Sequence, residues 1–239
     1  MDLIAPLAEA PQLSAIVLDV DGTLAPIVPR PEDAGVPAGT RAELERLAAR
    51  YRLLAFVSGR TGEDARRMVG LDGARYVGVH GLELEPEAER WREPLRNLAA
   101  GADWPWGEAE DKGLTLSFHY RQASDQAAAL AAAEILADRA RGAGLVPRFG
   151  RKVLEVRPPV DADKGTAVLQ LVSEAGVTRA LYAGDDTTDL DAFRGIREAG
   201  LELGVCVAVA SEEGPRELEE RADLVVDGPA GLLALLHRL

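Results

Sequence analysis

The stretch Ala15-Ile16-Val17-Leu18-Asp19-Val20-Asp21-Gly22-Thr23-Leu24 sets the reading of the whole chain. Four apolar residues run directly into two carboxylates spaced two apart, and a Gly-Thr pair follows. An unbroken apolar run is what a parallel strand buried on both faces requires. Strand side chains alternate between faces, so Asp19 and Asp21 aim to the same side at its end. Two acids held together raise each other's pKa unless something neutralises them. A divalent cation does so, and oxygen donors alone suit Mg²⁺. A strand ending in a polar Asp-Gly turn accounts for the same residues without any ligand.

Outward from this strand, apolar runs alternate with helical spacing. Thr40–Tyr51 carries apolar residues at 44, 47, 48 and 51, with Thr40 as N-cap and Glu43 completing a capping box. Leu53–Val57 reads as a second strand ending at Ser58-Gly59-Arg60, Glu63–Val69 as a short helix, and Tyr76–Val79 as a third strand ending at His80. Beyond Pro159 the pattern resumes. Helices are expected at Lys164–Ala175, Thr188–Ala199, Pro215–Arg221 and Gly231–Leu239, and strands at Arg179–Ala183, Gly204–Val209 and Asp223–Val226. Strand and helix in alternation predict a parallel sheet covered on both faces.

The middle has another texture. A helix at Glu87–Ala100 precedes a Trp104-Pro105-Trp106 turn, then a strand over Gly113–Arg121 with Leu114, Leu116 and Phe118 alternating. An alanine-rich helix, Ser124–Ala140, takes Ser124 as its N-cap. Two strands, Leu145–Phe149 and Lys152–Arg157, complete an α+β pattern of antiparallel hairpins, as expected of a separate inserted module.

Bulk composition narrows the classes. The 239 residues, 47% of them hydrophobic, suffice for one large domain or a core with a modest second module. Aromatic residues make up only 5%, so Leu, Val, Ala and Ile fill the core. A net charge of −13 disfavours nucleic acid and anionic membranes, whose partners are basic. The single Cys206, in an apolar run, reads as a buried thiol without an intramolecular disulfide. Met1-Asp2-Leu3 does not open a signal peptide, and no run of about 18 apolar residues occurs, so a cytoplasmic protein is expected.

Polar clusters fall directly after strands, the edge where open α/β sheets bind ligands. Asp19 and Asp21 follow the first strand; Ser58 and Arg60 follow the second. Asp185, Asp186 and Asp189 follow Arg179–Ala183, and Lys164 opens a helix. In this order, Asp19-x-Asp21-Gly22-Thr23, Ser58-Gly59-Arg60, Lys164 and Gly184-Asp185-Asp186-x-x-Asp189 resemble the four motifs of the haloacid dehalogenase-like phosphatases. Further segments, including Gly78–Glu83, Glu110–Arg121, Lys152–Pro158 and Tyr182–Asp189, resemble the trehalose-6-phosphate phosphatases within that superfamily.

The resemblance implies an α/β, Rossmann-like core (1–85 and 160–239) interrupted by an α+β cap of the C2 type (86–159) that sets substrate specificity. It implies hydrolysis of trehalose 6-phosphate to trehalose and phosphate through an aspartyl-phosphate on Asp19, with Asp21 as acid and base. Ser58 and Lys164 contact the phosphoryl oxygens. Mg²⁺ is the implied cofactor, held by Asp19, the Asp21 carbonyl and Asp185, with Asp186 among the metal-binding acids and Asp189 one layer behind. Arg60, His80, Lys112, His119, Arg151 and Glu155 are the candidates for substrate contacts. Trp104 and Trp106 are expected in the cap core or at a contact between cap and core, and not as a sugar platform. A monomer acting on a small sugar phosphate, with no nucleic-acid or membrane partner, follows. Another sugar-phosphate phosphatase of the superfamily, for example one acting on mannosyl-3-phosphoglycerate, a phosphomutase and a non-catalytic sugar-phosphate-binding protein are the competing readings.

Overall fold

The computed structural model describes residues 2–28, 35–150, 152–211 and 214–239. It divides into two compact units, Met1–Gly81 with Ala162–Leu239, and Leu82–Asp161.

In the first unit α1 (Ala5–Glu9) and a 3₁₀ turn lead into β1 (Ser14–Leu18). Then come α2 (Ala38–Arg50), β2 (Leu53–Val57), α3 (Gly62–Val69) and β3 (Arg75–Val77). The second unit holds a 3₁₀ segment (Pro86–Trp91), α4 (Arg92–Ala100), β4 (Glu110–Asp111), β5 (Leu116–His119), α5 (Gln126–Gly142), β6 (Val146–Gly150) and β7 (Val153–Arg157). The chain returns to the first unit with α6 (Lys164–Ala175), β8 (Arg179–Gly184), α7 (Asp189–Glu198), β9 (Leu203–Ala210), α8 (Arg216–Arg221), β10 (Leu224–Asp227) and α9 (Gly228–Leu236).

The six-stranded sheet has the order β10-β9-β8-β1-β2-β3, parallel throughout. All five residues of β1 are buried, as its unbroken apolar run requires. Ile16, Leu18, Leu181, Val205 and Val207 join Leu44 and Leu47 of α2 and Leu232 and Leu236 of α9 in one core. Each such side chain withdrawn from water contributes about 1.5–3 kcal/mol. The opposite face of the sheet presents Tyr182 and Cys206 to Phe193 of α7. Burial pushes the Cys206 thiol up to about 12, so it stays protonated. From β1 the chain winds one way through β2 and β3 and later the other way through β8, β9 and β10. The switch point, and hence the ligand-binding edge, lies at the end of β1.

The second unit is an antiparallel sheet of order β4-β5-β7-β6. Leu116, Phe118, Leu154 and Val156 pack against Leu95, Leu98, Ala133 and Leu136. Trp104, half-buried and packed against that core, meets Trp106, Phe118 and Tyr120 edge-on at 5.0, 5.5 and 6.3 Å. Register places Glu110, Ser117, Glu155 and Arg148 in one row on the opposite face.

Several expectations are corrected. Thr40 is not an N-cap: Pro37 precedes the helix, and Thr40 lies buried within it. Glu43, also buried, pairs with Arg46 and with His237 near the C-terminus instead of closing a capping box. Asp125, not Ser124, caps α5, accepting from the Ala127 and Ala128 N–H groups. The helix expected at 87–100 begins as 3₁₀ and becomes α-helical only at Arg92. The third strand stops at Val77, because Val79 and His80 take left-handed backbone angles (φ 51° and 53°). The strand expected over 113–121 is regular only at Leu116–His119, since Gly113 turns at φ 76°.

Candidate active site

The end of β1 is built around one tight turn. The Asp19 N–H donates to the Ala183 carbonyl at 2.9 Å, extending the ladder between β1 and β8. The chain then folds back, with the Gly22 N–H donating to Ala25 O at 2.8 Å. Gly22 sits at φ +78°, and a Cβ there would lie 2.0 Å from Asp185 Oδ2. Glycine therefore supplies both the left-handed turn and the room for Asp185. Next to it, Thr23 Oγ1 donates to Asp185 Oδ1 at 3.0 Å.

Lys164 is the first residue of α6, whose start is fixed by a reciprocal cap. Asp163 Oδ1 accepts from the Thr166 N–H at 2.9 Å, and Thr166 Oγ1 accepts from the Asp163 N–H at 3.1 Å. The helix is pressed against α7: a Cβ on Gly165 would lie 2.2 Å from Asp191 O, and one on Gly195 2.4 Å from Gly165 O. This approach brings Lys164 beside Asp189, the first residue of α7. Lys164 Nζ donates to Asp19 Oδ1 at 2.8 Å and to Asp189 Oδ1 at 2.7 Å.

Asp189 is fully buried and saturated. Its Oδ1 also accepts from the Tyr182 hydroxyl at 2.6 Å, and its Oδ2 accepts from the N–H groups of Asp185 and Asp186 at 2.9 and 2.8 Å. It thus folds back over the Gly184–Asp186 turn, where a Cβ on Gly184 would lie 2.2 Å from Asp189 Cγ.

The electrostatics follow from burial. Asp19, Lys164, Asp185 and Asp189 are all buried, three carboxylates against one ammonium. Burial opposes the Lys164 charge, but Asp19 and Asp189 outweigh it and hold its pKa above the usual lysine range. Burial pushes the Asp19 carboxyl well up; Lys164 opposes the shift, while the Asp189 and Asp185 charges add to it. Asp185 is pushed up to about 6, chiefly by burial and then by the Asp189 charge. Burial, with Asp189 beside it, also raises the Tyr182 phenol, which stays a donor.

Excess buried negative charge calls for a cation. Carboxylate oxygens of Asp19, Asp185 and Asp189 all lie within 4.8 Å of one another, close enough to hold a metal ion. Asp189 spends its four acceptor positions on Lys164, Tyr182 and two N–H groups. Asp19 Oδ2 and Asp185 Oδ2 accept no hydrogen bond from the described residues, so these are the open donors that a metal ion would use. All-oxygen donors of this kind fit a hard divalent cation.

The remaining candidates fall in distinct places. Ser58, buried at the end of β2, donates its N–H to Val77 O at 3.0 Å, and its Oγ accepts from the Arg60 N–H at 3.2 Å. Arg60 grips both oxygens of Asp21 at 2.6 Å. His80 donates its N–H to Ser58 O at 2.9 Å, its ring lying 2.7 Å from where Gly59 would carry a Cβ. Asp186 is exposed, stands outside the acidic group and accepts from the Thr187 N–H at 2.6 Å. In the second unit, Glu110 joins His119 Nε2 at 3.1 Å and Lys112 Nζ at 3.6 Å. Hydrogen bonding from His119, with the Lys112 charge, holds the Glu110 carboxyl below its usual range. Glu155 is half-buried on β7 opposite Ser117 and Arg148. Arg151 lies outside the described residues.

Tyr182 and the Thr23 hydroxyl contact the site without having been singled out for it. A tyrosine inside an otherwise aliphatic buried strand is a usable signal, because its hydroxyl needs a partner.

A family model described as trehalose-phosphatase matches residues 17–227. The chain is 34% identical over 245 residues to a trehalose-phosphate phosphatase of Mycobacterium avium (strain 104), covering 94% of this chain and 61% of that protein. It therefore spans less than two thirds of that relative. Among solved structures, it matches a trehalose-6-phosphate phosphatase related protein with TM-score 0.74 and 24% identity, over 93% of this chain and 95% of the other. A haloacid dehalogenase-like hydrolase from Bacteroides thetaiotaomicron matches with TM-score 0.62 and 18% identity, over 95% and 99% of the two chains. These two likenesses show that the fold is haloacid dehalogenase-like.

Proposed function

Since the chain belongs to the trehalose-phosphatase family, we propose that it hydrolyses trehalose 6-phosphate to trehalose and inorganic phosphate. The observation that carries this reading is Asp19 at the β1 end, bridged by Lys164 to Asp189 and grouped with Asp185. Such a cluster suits attack on a phosphoric monoester, where catalysis is largely positioning and charge stabilisation.

Asp19 is the nucleophile: its carboxylate oxygen forms a bond to phosphorus as the bond to the sugar oxygen breaks. The leaving oxygen takes a proton from Asp21, which then accepts one from the water that cleaves the aspartyl-phosphate and returns Asp19. Arg60 holds Asp21 as a carboxylate in the structure, so Asp21 leaves that pair and takes up a proton from solvent before it donates to the leaving oxygen. Lys164 and Ser58 neutralise and orient the phosphoryl oxygens. Asp19, Asp185 and the Asp21 carbonyl are the residues to hold Mg²⁺, which when bound offsets the repulsion between the two anions. Asp189 keeps Lys164 and the Asp185 turn in place.

Sugar recognition is assigned to the second unit, where Glu110, Lys112, His119 and Glu155 supply acceptors and donors for hydroxyl groups. Glu155 lies in a row with Ser117 and Arg148, and the Glu110 carboxylate is held ionised by His119 and Lys112.

Phosphate release over a panel of sugar phosphates with Mg²⁺ tests the reading. Trehalose 6-phosphate should exceed glucose 6-phosphate in kcat/KM by at least about a hundredfold, roughly two good buried hydrogen bonds. Equal values, or a preference for mannosyl-3-phosphoglycerate, overturn the substrate assignment.

A further inference from the structure

The four donors on Asp189 are unequal in kind. Two are main-chain N–H groups of its own turn, and one is Lys164, which the reaction uses. The fourth, the Tyr182 hydroxyl, comes from inside β8 and donates to Asp189 Oδ1 alone among the described acidic residues of the site. Tyr182 and Lys164 share one oxygen, Asp189 Oδ1, at 2.6 and 2.7 Å. The Tyr182 ring is fixed edge-on against Phe193, 6.1 Å away, and the whole residue is buried.

We infer that Tyr182 is a positioning residue that, by donating to Asp189 Oδ1, keeps the Lys164 ammonium shared between Asp189 and Asp19. The physical reason is competition for one acceptor. With the hydroxyl in place, Asp189 Oδ1 is partly satisfied, and Lys164 divides itself between two carboxylates. Without it, the full acceptor strength of a buried carboxylate falls on Lys164 and draws it from Asp19 and from the phosphoryl oxygens. An ångström-scale displacement of this kind lowers turnover more than binding, because the interaction matters most in the transition state. The inference rests on the proposed phosphatase reading for its kinetic arm only.

The test is Tyr182→Phe, which keeps the ring and its contact with Phe193. In trehalose 6-phosphate hydrolysis kcat should fall about tenfold with KM within about twofold, the size of one lost charge-assisted contact. The independent readout is Lys164 itself. The chain has only three lysines, Lys112, Lys152 and Lys164. A ¹H–¹⁵N spectrum of the ammonium groups in a Lys112→Arg, Lys152→Arg background therefore reads Lys164 alone, with and without Mg²⁺. The parent should give a slowly exchanging ammonium signal, and Tyr182→Phe should shift it. An unchanged signal or an unchanged kcat overturns the inference. Adding Tyr182→Phe to Asp189→Asn should cost nothing further; a second full tenfold loss overturns it too. If a variant does not fold, the parent spectrum still decides, because a Lys164 ammonium exchanging as fast as a surface lysine contradicts the shared bridge. Failure to hydrolyse trehalose 6-phosphate at all leaves the spectrum readable, so the two ideas fail separately.

Discussion

Cation binding at this site should weaken steeply in acid, and Asp185 sets the scale. Its carboxyl is pushed up to about 6 by burial and by the Asp189 charge. A ligand carboxylate must lose its proton before it binds a metal. Below pH 6, apparent Mg²⁺ affinity therefore falls about tenfold per pH unit, so the dissociation constant at pH 5 should be about ten times that at pH 7. Asp19, also raised by burial, acts in the same sense. The same shift appears as stability in metal-free protein. The folded pKa of Asp185 lies above the ordinary 3.8, so its contribution is fully present below about 3.8 and is lost as pH rises through about 6. From pH 5 to pH 7 that loss is on the order of 1 kcal/mol by linkage, or roughly 2–4 °C in Tm for a chain of this size. The carboxyls of Glu43, Glu89 and Glu110, held below their usual 4.5 by hydrogen bonds from Arg46, Arg92 and His119, lose stability only at lower pH. Calorimetric Mg²⁺ titration at pH 5, 6 and 7, with thermal melts in chelator and in Mg²⁺, measures both effects. Asp185→Asn should remove the Asp185 step from the metal-free melts. Equal Mg²⁺ affinity at pH 5 and 7, or an Asp185→Asn profile matching the parent, would refute the reasoning.

Gly22→Ala should cost about 1–2 kcal/mol for its left-handed backbone. Because the new Cβ would fall 2.0 Å from Asp185 Oδ2, calorimetry should also show Mg²⁺ binding at least about tenfold weaker. Asp21→Asn should slow release of the sugar alkoxide by about 10²–10⁴, but affect p-nitrophenyl phosphate, whose leaving group needs no proton, much less; parallel assays on the two esters decide. Asp163→Ala removes the cap of α6 and its 2.6 Å pair with Arg194. It should lower stability by about 1 kcal/mol, read as a Tm drop of about 2–4 °C.

The parts of the fold that sequence made legible are those whose cause is local. β1 is an uninterrupted apolar run buried on both faces, and α6 spans Lys164–Ala175 as its spacing implies. Asp19, Lys164, Asp185 and Asp189 converge because each sits at a strand end or helix start, where chain direction fixes the edge it faces. What stayed hidden depends on distant partners. Glu43 looked like a capping-box acid, but it answers to His237, far along the chain. Asp21 and Arg60 read as separate motif residues, yet each takes the other as its ion-pair partner. Val79 looked like strand, since nothing local marks a valine for φ 51°. Tyr182 stands out among its aliphatic neighbours as a hydroxyl in need of a partner, but only the geometry of α7 against β8 shows that the partner is Asp189.

Product analysis with trehalose 6-phosphate, Mg²⁺ and the parent chain beside Asp19→Asn tests the central claim most directly. The parent should yield trehalose and inorganic phosphate in equal amounts, and Asp19→Asn should lose at least about 10³-fold in rate, since no covalent route remains. Phosphate released by Asp19→Asn at the parent's rate, or label recovered in an isomeric sugar phosphate instead of free phosphate, would contradict it.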